Sequence, residues 1–114
     1  MPDTFIKLGN TNIKERNSIS VTAYFRDSSN AASAPTTIHY RVDDLTTATN
    51  ITAWTSVSAA SSVSITINSA ENRIVNQADA RERRQITVAA DKGTTTETRD
   101  TVEYFIENIG GFDE

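Results

Sequence analysis

The sequence predicts an antiparallel β-sandwich, and three observations support this fold class. Apolar and polar residues alternate through several short runs, which is the pattern of strands with one buried face. These runs are rich in Thr, Val and Ile, whose branched side chains fit a pleated surface better than a helix. Short polar connections separate the runs at the spacing of a sandwich. The 114 residues are enough for a single domain with a modest core.

About seven strands are predicted in chain order. The first lies around residues 4–8 and ends at Gly9. The others contain SISVTAYF (18–25), TIHYRVD (37–43), residues 51–57, SVSITIN (62–68), RQITVAAD (84–91) and TVEYFIEN (101–108). In this register Tyr40 and Val42 face the core, whereas Asp43, Asp44 and the rows of Ser and Thr face water.

The connections carry turn signals and one charged crossover. Gly93 stands where a hairpin needs a positive φ angle. The polar segment 69–84 is expected to cross between the two sheets, with a helical turn near residues 70–74. A short N-terminal arm and a flexible tail over residues 108–114 complete the predicted domain, which spans residues 1–114.

Composition excludes several classes of function. The net charge of −4 argues against nucleic-acid binding, which needs a basic surface. The absence of cysteine excludes disulfides, thiolate catalysis and Cys-type zinc sites. No apolar stretch has membrane-spanning length, and the N-terminus lacks the pattern of a signal peptide. We therefore expect neither a nucleic acid nor a membrane as a partner.

Three features invite a chemical interpretation, and each has a structural alternative. His39 is the single histidine and is expected to point outward in a polar ladder with Arg41 and Asp43. The Asp43–Asp44 pair has Ca²⁺-binding oxygens but lacks the spaced carboxylates of a calcium loop. Trp54 fits core or seam packing better than a sugar platform, which would need a second exposed aromatic residue. We expect a non-enzymatic protein with no catalytic, metal or cofactor site.

Two groups of residues are candidates for contact with a partner. Arg81, Arg83 and Arg84 form the densest charge cluster, which is either a solvated crossover or a dock for an acidic surface. Phe105 lies on the face opposite Tyr104. Apolar residues near the termini are expected either to anchor in another chain or to fold back on their own domain: Phe5, Ile109 and Phe112.

Residues 36–111 resemble small immunoglobulin-like or fibronectin-type-III-like structural proteins of tailed phages and prophages. The resemblance lies in the stretch from Tyr40 to Asp44, in Trp54-Thr55 and in the Ser-alternating strand over 61–67. It continues in the Arg-rich run 81–88 and in Tyr104-Phe105. The Cys…Trp…Cys core of antibody domains is absent, so the likeness is one of architecture.

The resemblance implies a non-enzymatic virion protein of the decoration, head-fibre or neck/tail accessory kind. It would dock in many copies, or as a homo-oligomer, on capsid, neck or tail proteins of the virion. A glycan- or cell-surface-binding β-sandwich module is the alternative function. Neither interpretation brings a cofactor with it.

Overall fold

The computed structural model describes residues 3–8, 12–14, 17–27, 29–76 and 78–108, with the backbone alone at residues 3–8 and 12. Within these ranges the chain forms strands and turns and no helix. The strands are β1 (Asp3–Leu8), β2 (Asn12–Lys14), β3 (Ile19–Arg26), β4 (Ile38–Asp44), β5 (Thr49–Val57), β6 (Ser62–Ile67), β7 (Arg81–Ala90) and β8 (Thr98–Glu107).

The strands form two sheets. One has the order β1-β3-β6 and the other the order β2-β8-β7-β4-β5. Neighbouring strands run antiparallel, except that β2 pairs parallel with β8. This arrangement confirms the predicted all-β sandwich.

The core lies between the two sheets and is built from the alternating inward positions. Along β3 the burial follows the sequence pattern, with Ile19, Val21, Ala23 and Phe25 buried. The opposite sheet contributes the inward side chains of its three central strands, β4, β7 and β8: Ile38, Val42, Ile86, Val88, Ala90, Tyr104 and Ile106. Ile65 and Ile67 of β6 complete the layer, and Tyr40 packs against it from a half-buried position.

The predicted strands are all present, but their ends differ from the expectation. The short strand β2 was not predicted, because three residues are too few for an alternating pattern. Strand β7 begins at Arg81, so the arginine cluster belongs to a strand and not to the crossover. Asn108 was expected to begin the tail, yet its amide donates to Ala80 O at 2.9 Å.

Turns, rather than a helix, connect the sheets between β6 and β7. The amides of Glu71 and Asn72 donate to Asn68 O and Ser69 O, which closes tight turns where a helical turn was expected. The predicted hairpin turn between β7 and β8 does place Gly93 at a positive φ of 84°.

Candidate functional site

The outer face of the five-stranded sheet carries the most concentrated group of aromatic and cationic side chains. Strand pairing sets Arg99 opposite Ala89, Ala89 opposite His39, and His39 opposite Ser56, so these four residues form one row across β8, β7, β4 and β5. Because alternate residues share a face, the same face also receives these neighbours: Arg41, Asp43, Trp54, Arg81, Arg83, Gln85, Thr87, Thr101, Glu103 and Phe105. We call this surface the outer face.

Trp54 occupies the centre of a cation–π cluster on the outer face. The Arg41 guanidinium lies 5.6 Å from its ring centroid, the Lys92 ammonium 5.1 Å and the Arg99 guanidinium 5.1 Å. The three cations come from β4, from the β7–β8 turn and from β8. We call these four residues the Trp54 cluster.

Two of the three cations have carboxylate partners. Arg41 donates from Nε and Nη2 to Asp43 at 2.9 and 2.8 Å. Burial alone would raise the pKa of Asp43, but hydrogen bonds from Arg41 and Asn50 outweigh it and hold that pKa below its usual value. Arg99 pairs with Glu97, whose pKa is lowered first by the Gly93 amide and then by Arg99. Lys92 makes no ion pair with the described part of the chain.

The centre of the outer face is covered by its longer side chains. Ala89 is 0% exposed and Thr87 8% exposed, although both point away from the core. His39 points outward as predicted and is half-buried, but its Nδ1 is buried and has no hydrogen-bond partner among the described residues. A flat, partly covered surface of this kind suits contact with a macromolecule better than enclosure of a small substrate.

A second aromatic–cation pair lies farther along the same face. The Arg81 guanidinium stands 4.4 Å from the Phe105 ring centroid, and Arg83 Nε lies 3.5 Å from a Glu103 oxygen. Three of the predicted partner-binding residues, Arg81, Arg83 and Phe105, are therefore brought together on the outer face. Phe105 lies six positions along β8 from Arg99, about 20 Å at the usual rise per residue.

The structure corrects the expectation for Trp54, which was core or seam packing. The ring lies on the outer face of an edge strand, half-buried among cations. The expectation rested on residue type, because a lone tryptophan usually packs in a core. Alternation from Ser56, which stands opposite His39, places Trp54 on the outer face instead.

A buried polar cluster lies at the inner side of the same sheet, beneath the crossover between β6 and β7. Arg84 is 0% exposed and donates from Nε to Asp44 Oδ2 at 2.6 Å. It also donates to Glu71 O at 2.8 Å, to Arg73 O, and to Glu82 Oε1 at 3.3 Å. The guanidinium therefore ties the crossover to the sheet, as does Glu82, which accepts from the amides of Val75 and Asn76 at 2.7 and 2.9 Å.

Tyr104 and Asn72 extend this cluster toward the other sheet. The Tyr104 hydroxyl donates to Asn72 Oδ1 at 2.7 Å, and Asn72 Nδ2 donates to Asn17 O at 2.7 Å. Burial raises the pKa of Tyr104, which keeps the hydroxyl protonated and able to donate. The cluster thus satisfies its own hydrogen bonds inside the protein.

The two buried carboxylates have displaced pKa values of opposite sign. Burial by itself would raise the pKa of Asp44, but hydrogen bonds from the Thr47 amide and from Arg84 outweigh it and lower that pKa. Burial raises the pKa of Glu82, and this effect exceeds the stabilisation from its two backbone donors. The neighbouring carboxylates Asp44 and Asp79 raise the pKa of Glu82 further, whereas Arg84 pairs most closely with Asp44 and lowers the pKa of that residue.

Two expectations about exposure are corrected here. Arg84 was a candidate for docking on an acidic partner, but its side chain is enclosed and paired inside the protein. Asp44 was expected on the wet face, but it is 1% exposed because the inward position at the end of β4 meets Arg84. The charged side chains of Arg84 and Asp44 suggested exposure to water, although the alternation of their strands places both residues on the inward face.

The remaining candidates lie in different places. Phe5 lies in β1, where the side chains are outside the described residues, and Ile109 and Phe112 also lie outside them. Asp43 and Asp44 point to opposite faces of β4, so they do not converge on one cation. Among the residues that the structure describes, no group of three or more His, Asp or Glu could hold a metal ion, and no helix is long and apolar enough to cross a membrane.

Comparison with known proteins gives a distant structural likeness. No family model matches the chain, and no curated protein matches it. The fold is similar to the crystal structure of a conjugative transposon lipoprotein from Bacteroides eggerthii DSM 20697, with a TM-score of 0.51 and 4% sequence identity. The match covers 90% of this chain and 95% of the other.

This likeness corrects the functional expectation. The predicted role as a phage virion structural protein is contradicted, because the structural neighbour is a lipoprotein of a conjugative transposon and not a phage protein. The resemblance to immunoglobulin-like phage proteins and the location in a virion stay predictions that no observation here tests. At 4% identity the neighbour supports the sandwich architecture alone.

Proposed function

We propose that this chain is a non-enzymatic binding module that receives an acidic segment of a partner protein on its outer face. The observation that carries the proposal is the Trp54 cluster. Three cationic groups gather around the single tryptophan of a chain whose net charge is −4. A local concentration of positive charge on an acidic protein attracts an anionic partner to that place and repels it elsewhere.

The composition of the outer face favours a protein over a carbohydrate as the partner. Trp and Arg are the residues most enriched among those that dominate protein–protein binding energies. A sugar would need a bare aromatic ring to stack on, and cations already lie over Trp54. The second aromatic residue of this face, Phe105, lies on β8, about 20 Å along the strand from Arg99 of the Trp54 cluster, which suits an extended peptide or a broad protein surface.

Lys92 is the group that we expect to meet the partner's carboxylate. Arg41 and Arg99 already pair with Asp43 and Glu97, whereas Lys92 makes no ion pair with the described residues. An incoming carboxylate at this position would have one ammonium and two guanidinium groups within reach. Charge-assisted hydrogen bonds of this kind are roughly twice as strong as neutral ones.

The non-enzymatic part of the proposal rests on where the perturbed ionisable groups lie. Asp44, Glu82 and Tyr104 have displaced pKa values, but they are buried and hydrogen-bonded to the protein's own groups. A catalytic acid or base has to reach a substrate. The pKa values of Asp43 and Glu97 are also shifted, but both are lowered by hydrogen bonds and ion pairs with the protein's own groups. The enclosure of the buried three residues and the pairing of these two favour structural roles.

We also propose that the sandwich is of the immunoglobulin-like kind. The orders β1-β3-β6 and β2-β8-β7-β4-β5 correspond to strands A-B-E and A′-G-F-C-C′ of that architecture. The first strand region then divides between the sheets, with β2 parallel to β8. The likeness to the conjugative transposon lipoprotein is one of fold alone.

Intrinsic fluorescence tests the binding proposal, because Trp54 is the chain's single tryptophan. Titration with sodium poly-L-glutamate at low ionic strength should change the Trp54 emission and give a saturable curve. Added salt should weaken binding, since screening reduces attraction between exposed charges. The double substitution Lys92→Gln plus Arg99→Gln should weaken binding at least tenfold.

A matched control separates the site from the net charge. Arg26→Gln plus Arg73→Gln removes the same amount of charge from positions away from the outer face, Arg26 on the three-stranded sheet and Arg73 in the crossover, and should leave the affinity within twofold of the parent. If poly-L-glutamate leaves the emission unchanged, or if both double variants lose affinity equally, the outer face is not the binding site for an acidic segment.

A further inference from the structure

Residues 45–70 contain no charged residue, no glycine and no proline, although charged residues make up 23% of the chain. The segment comprises β5, the link over 58–61 and β6. Both strands stand at an edge of their sheet, β5 beside β4 and β6 beside β3. The chain therefore leaves two sheet edges without the charges and prolines that usually protect such edges from pairing.

Edge β5 is protected by other means. Its pairing with β4 shifts register twice. The Asn50 amide donates to Thr52 O at 3.1 Å, and the Thr55 hydroxyl donates to Ala53 O at 2.9 Å. These side chains occupy backbone carbonyl groups of the edge strand. A bulged strand with capped carbonyls is a poor template for a further strand.

Edge β6 has none of these devices over Ser62–Thr66, and its one capped carbonyl in the described part of the chain is at the end of the strand, where Asn72 Nδ2 donates to Ile67 O at 3.4 Å. All six of its residues, Ser62–Ile67, pair with β3 in an unbroken antiparallel register. Its outward side chains are small hydroxyl groups, and Val63 remains half-buried at the rim of the core. An uncharged, regular and bare edge strand of high β propensity is an aggregation hazard unless something covers it.

We propose that β6 pairs antiparallel with β6 of a second copy of this chain, joining the two three-stranded sheets into one sheet of six strands. The distribution of charge favours a second copy of the chain as the partner of this edge. Each copy carries a net charge of −4, so two copies repel over their acidic surfaces, and the uncharged edge of β6 lets them approach at least cost. A two-fold axis makes such an edge self-complementary.

The alternation of β6 sets the register of this interface. Directly opposite residues of paired strands share a face of the sheet. The two-fold axis that relates the two copies therefore has to pass at a residue, because an axis between two residues would set a core-facing residue opposite a water-facing one. An axis at Ser64 sets Val63 of one copy opposite Ile65 of the other on the core side. The same axis sets Ser62 opposite Thr66 on the wet side. The half-buried Val63 is then covered by the second copy.

The other two sheet edges suit self-pairing less well. Strand β1 contains Asp3 and Lys7, and β2 is only three residues long and ends at Lys14. A charge on an edge strand is the common defence against unwanted pairing. The bare edge at β6 is therefore the one that fits a second copy.

The cysteine-free chain permits a sharp test by single-cysteine crosslinking. With the axis at Ser64, the Ser64→Cys variant should form a disulfide-linked dimer under mild oxidation. Ser62→Cys on the same strand and face should stay largely uncrosslinked, because its two copies would lie about 13 Å apart along the strands. Ser62 and Ser64 are both exposed, so accessibility does not distinguish them.

Sedimentation equilibrium provides a second test, because it measures whether each variant is a dimer or a monomer. The parent should sediment as a dimer that dissociates on dilution, and Ser64→Lys should be monomeric with an unchanged circular dichroism spectrum. Thr95→Lys, an equal charge change at an exposed position in the β7–β8 turn, should remain dimeric. A monomeric parent, a dimer that survives Ser64→Lys, or equal crosslinking at positions 62 and 64 would overturn the proposal.

Discussion

Arg84 is the residue on which the interior of this protein depends most. Its guanidinium is fully buried and contacts Asp44, Glu82 and two carbonyl groups of the crossover. Burial of a charge is costly unless its partners are well placed, and here nearly every donor of the side chain has one. The same contacts fix the crossover over the inner face of the sheet.

Asp44→Asn should destabilise the protein by about 3–5 kcal/mol at neutral pH, because it leaves Arg84 buried without its closest counter-charge. The pKa of Asp44 is lower in the folded protein than its ordinary 3.8. Its ionic contribution to the free energy of unfolding is therefore complete above pH 3.8 and lost as the pH falls. In urea melts the gap between parent and variant should narrow below that pH.

Asp43→Asn is the matched control for Asp44. This neighbour lies on the outer face in a partly exposed ion pair with Arg41, and such pairs contribute about 0–1 kcal/mol. If the two variants lose equal stability at neutral pH, the buried ion pair does not hold the crossover in place.

Glu82→Gln should give a pH dependence of the opposite sign. Burial raises the pKa of Glu82 above its ordinary 4.5, so its titration favours the folded state below that value and disfavours it as the pH rises through the folded pKa. The parent should lose stability relative to the Gln variant as the pH is raised above 4.5. A constant difference from pH 4 to pH 8 would contradict the raised pKa.

At the scale of elements, β6 shows how the alternation of apolar and polar residues determines which side chains enter the core. Ile65→Ala should cost about 2–5 kcal/mol, because it removes a side chain that is 3% exposed. Ser64→Ala, the next residue on the exposed face, should change the free energy of unfolding by less than about 0.5 kcal/mol. Equal losses in denaturant melts would show that the strand register is wrong.

The sequence was sufficient to predict the strands and their faces wherever apolar and polar types alternated. Ile19 to Phe25 on β3 and Ser62 to Ile67 on β6 are of this kind. Thr87 belongs to the rows of Ser and Thr that were expected to face water, but it is 8% exposed. Its burial depends on side chains of neighbouring strands on the outer face, and a single strand's pattern does not contain that information.

The candidate site was predicted only in part. Arg81, Arg83 and Phe105 were selected from the sequence and lie together on the outer face. The Trp54 cluster was missed, because Arg41, Lys92 and Arg99 are far apart in the chain and meet only after strand pairing. The buried Arg84–Asp44 pair was missed because two charged residue types at inward positions were taken for solvent-facing ones.

At the scale of the whole molecule, the sandwich separates two kinds of surface. The outer face of the five-stranded sheet carries aromatic and cationic side chains, and the uncharged segment 45–70 carries the bare edge of β6. Partner binding and self-pairing are thereby assigned to different strands. A variant that abolishes one should leave the other intact, since β6 contributes no residue to the Trp54 cluster.

Binding of an acidic protein segment to the outer face can be mapped residue by residue with heteronuclear NMR. A ¹⁵N-labelled sample would be titrated with sodium poly-L-glutamate while amide and indole signals are followed. We expect the largest shifts at the Trp54 indole and at the amides of Arg41, Lys92 and Arg99, with β3 and β6 unaffected. Shifts confined to β3 and β6, or spread evenly over the molecule, would contradict the account.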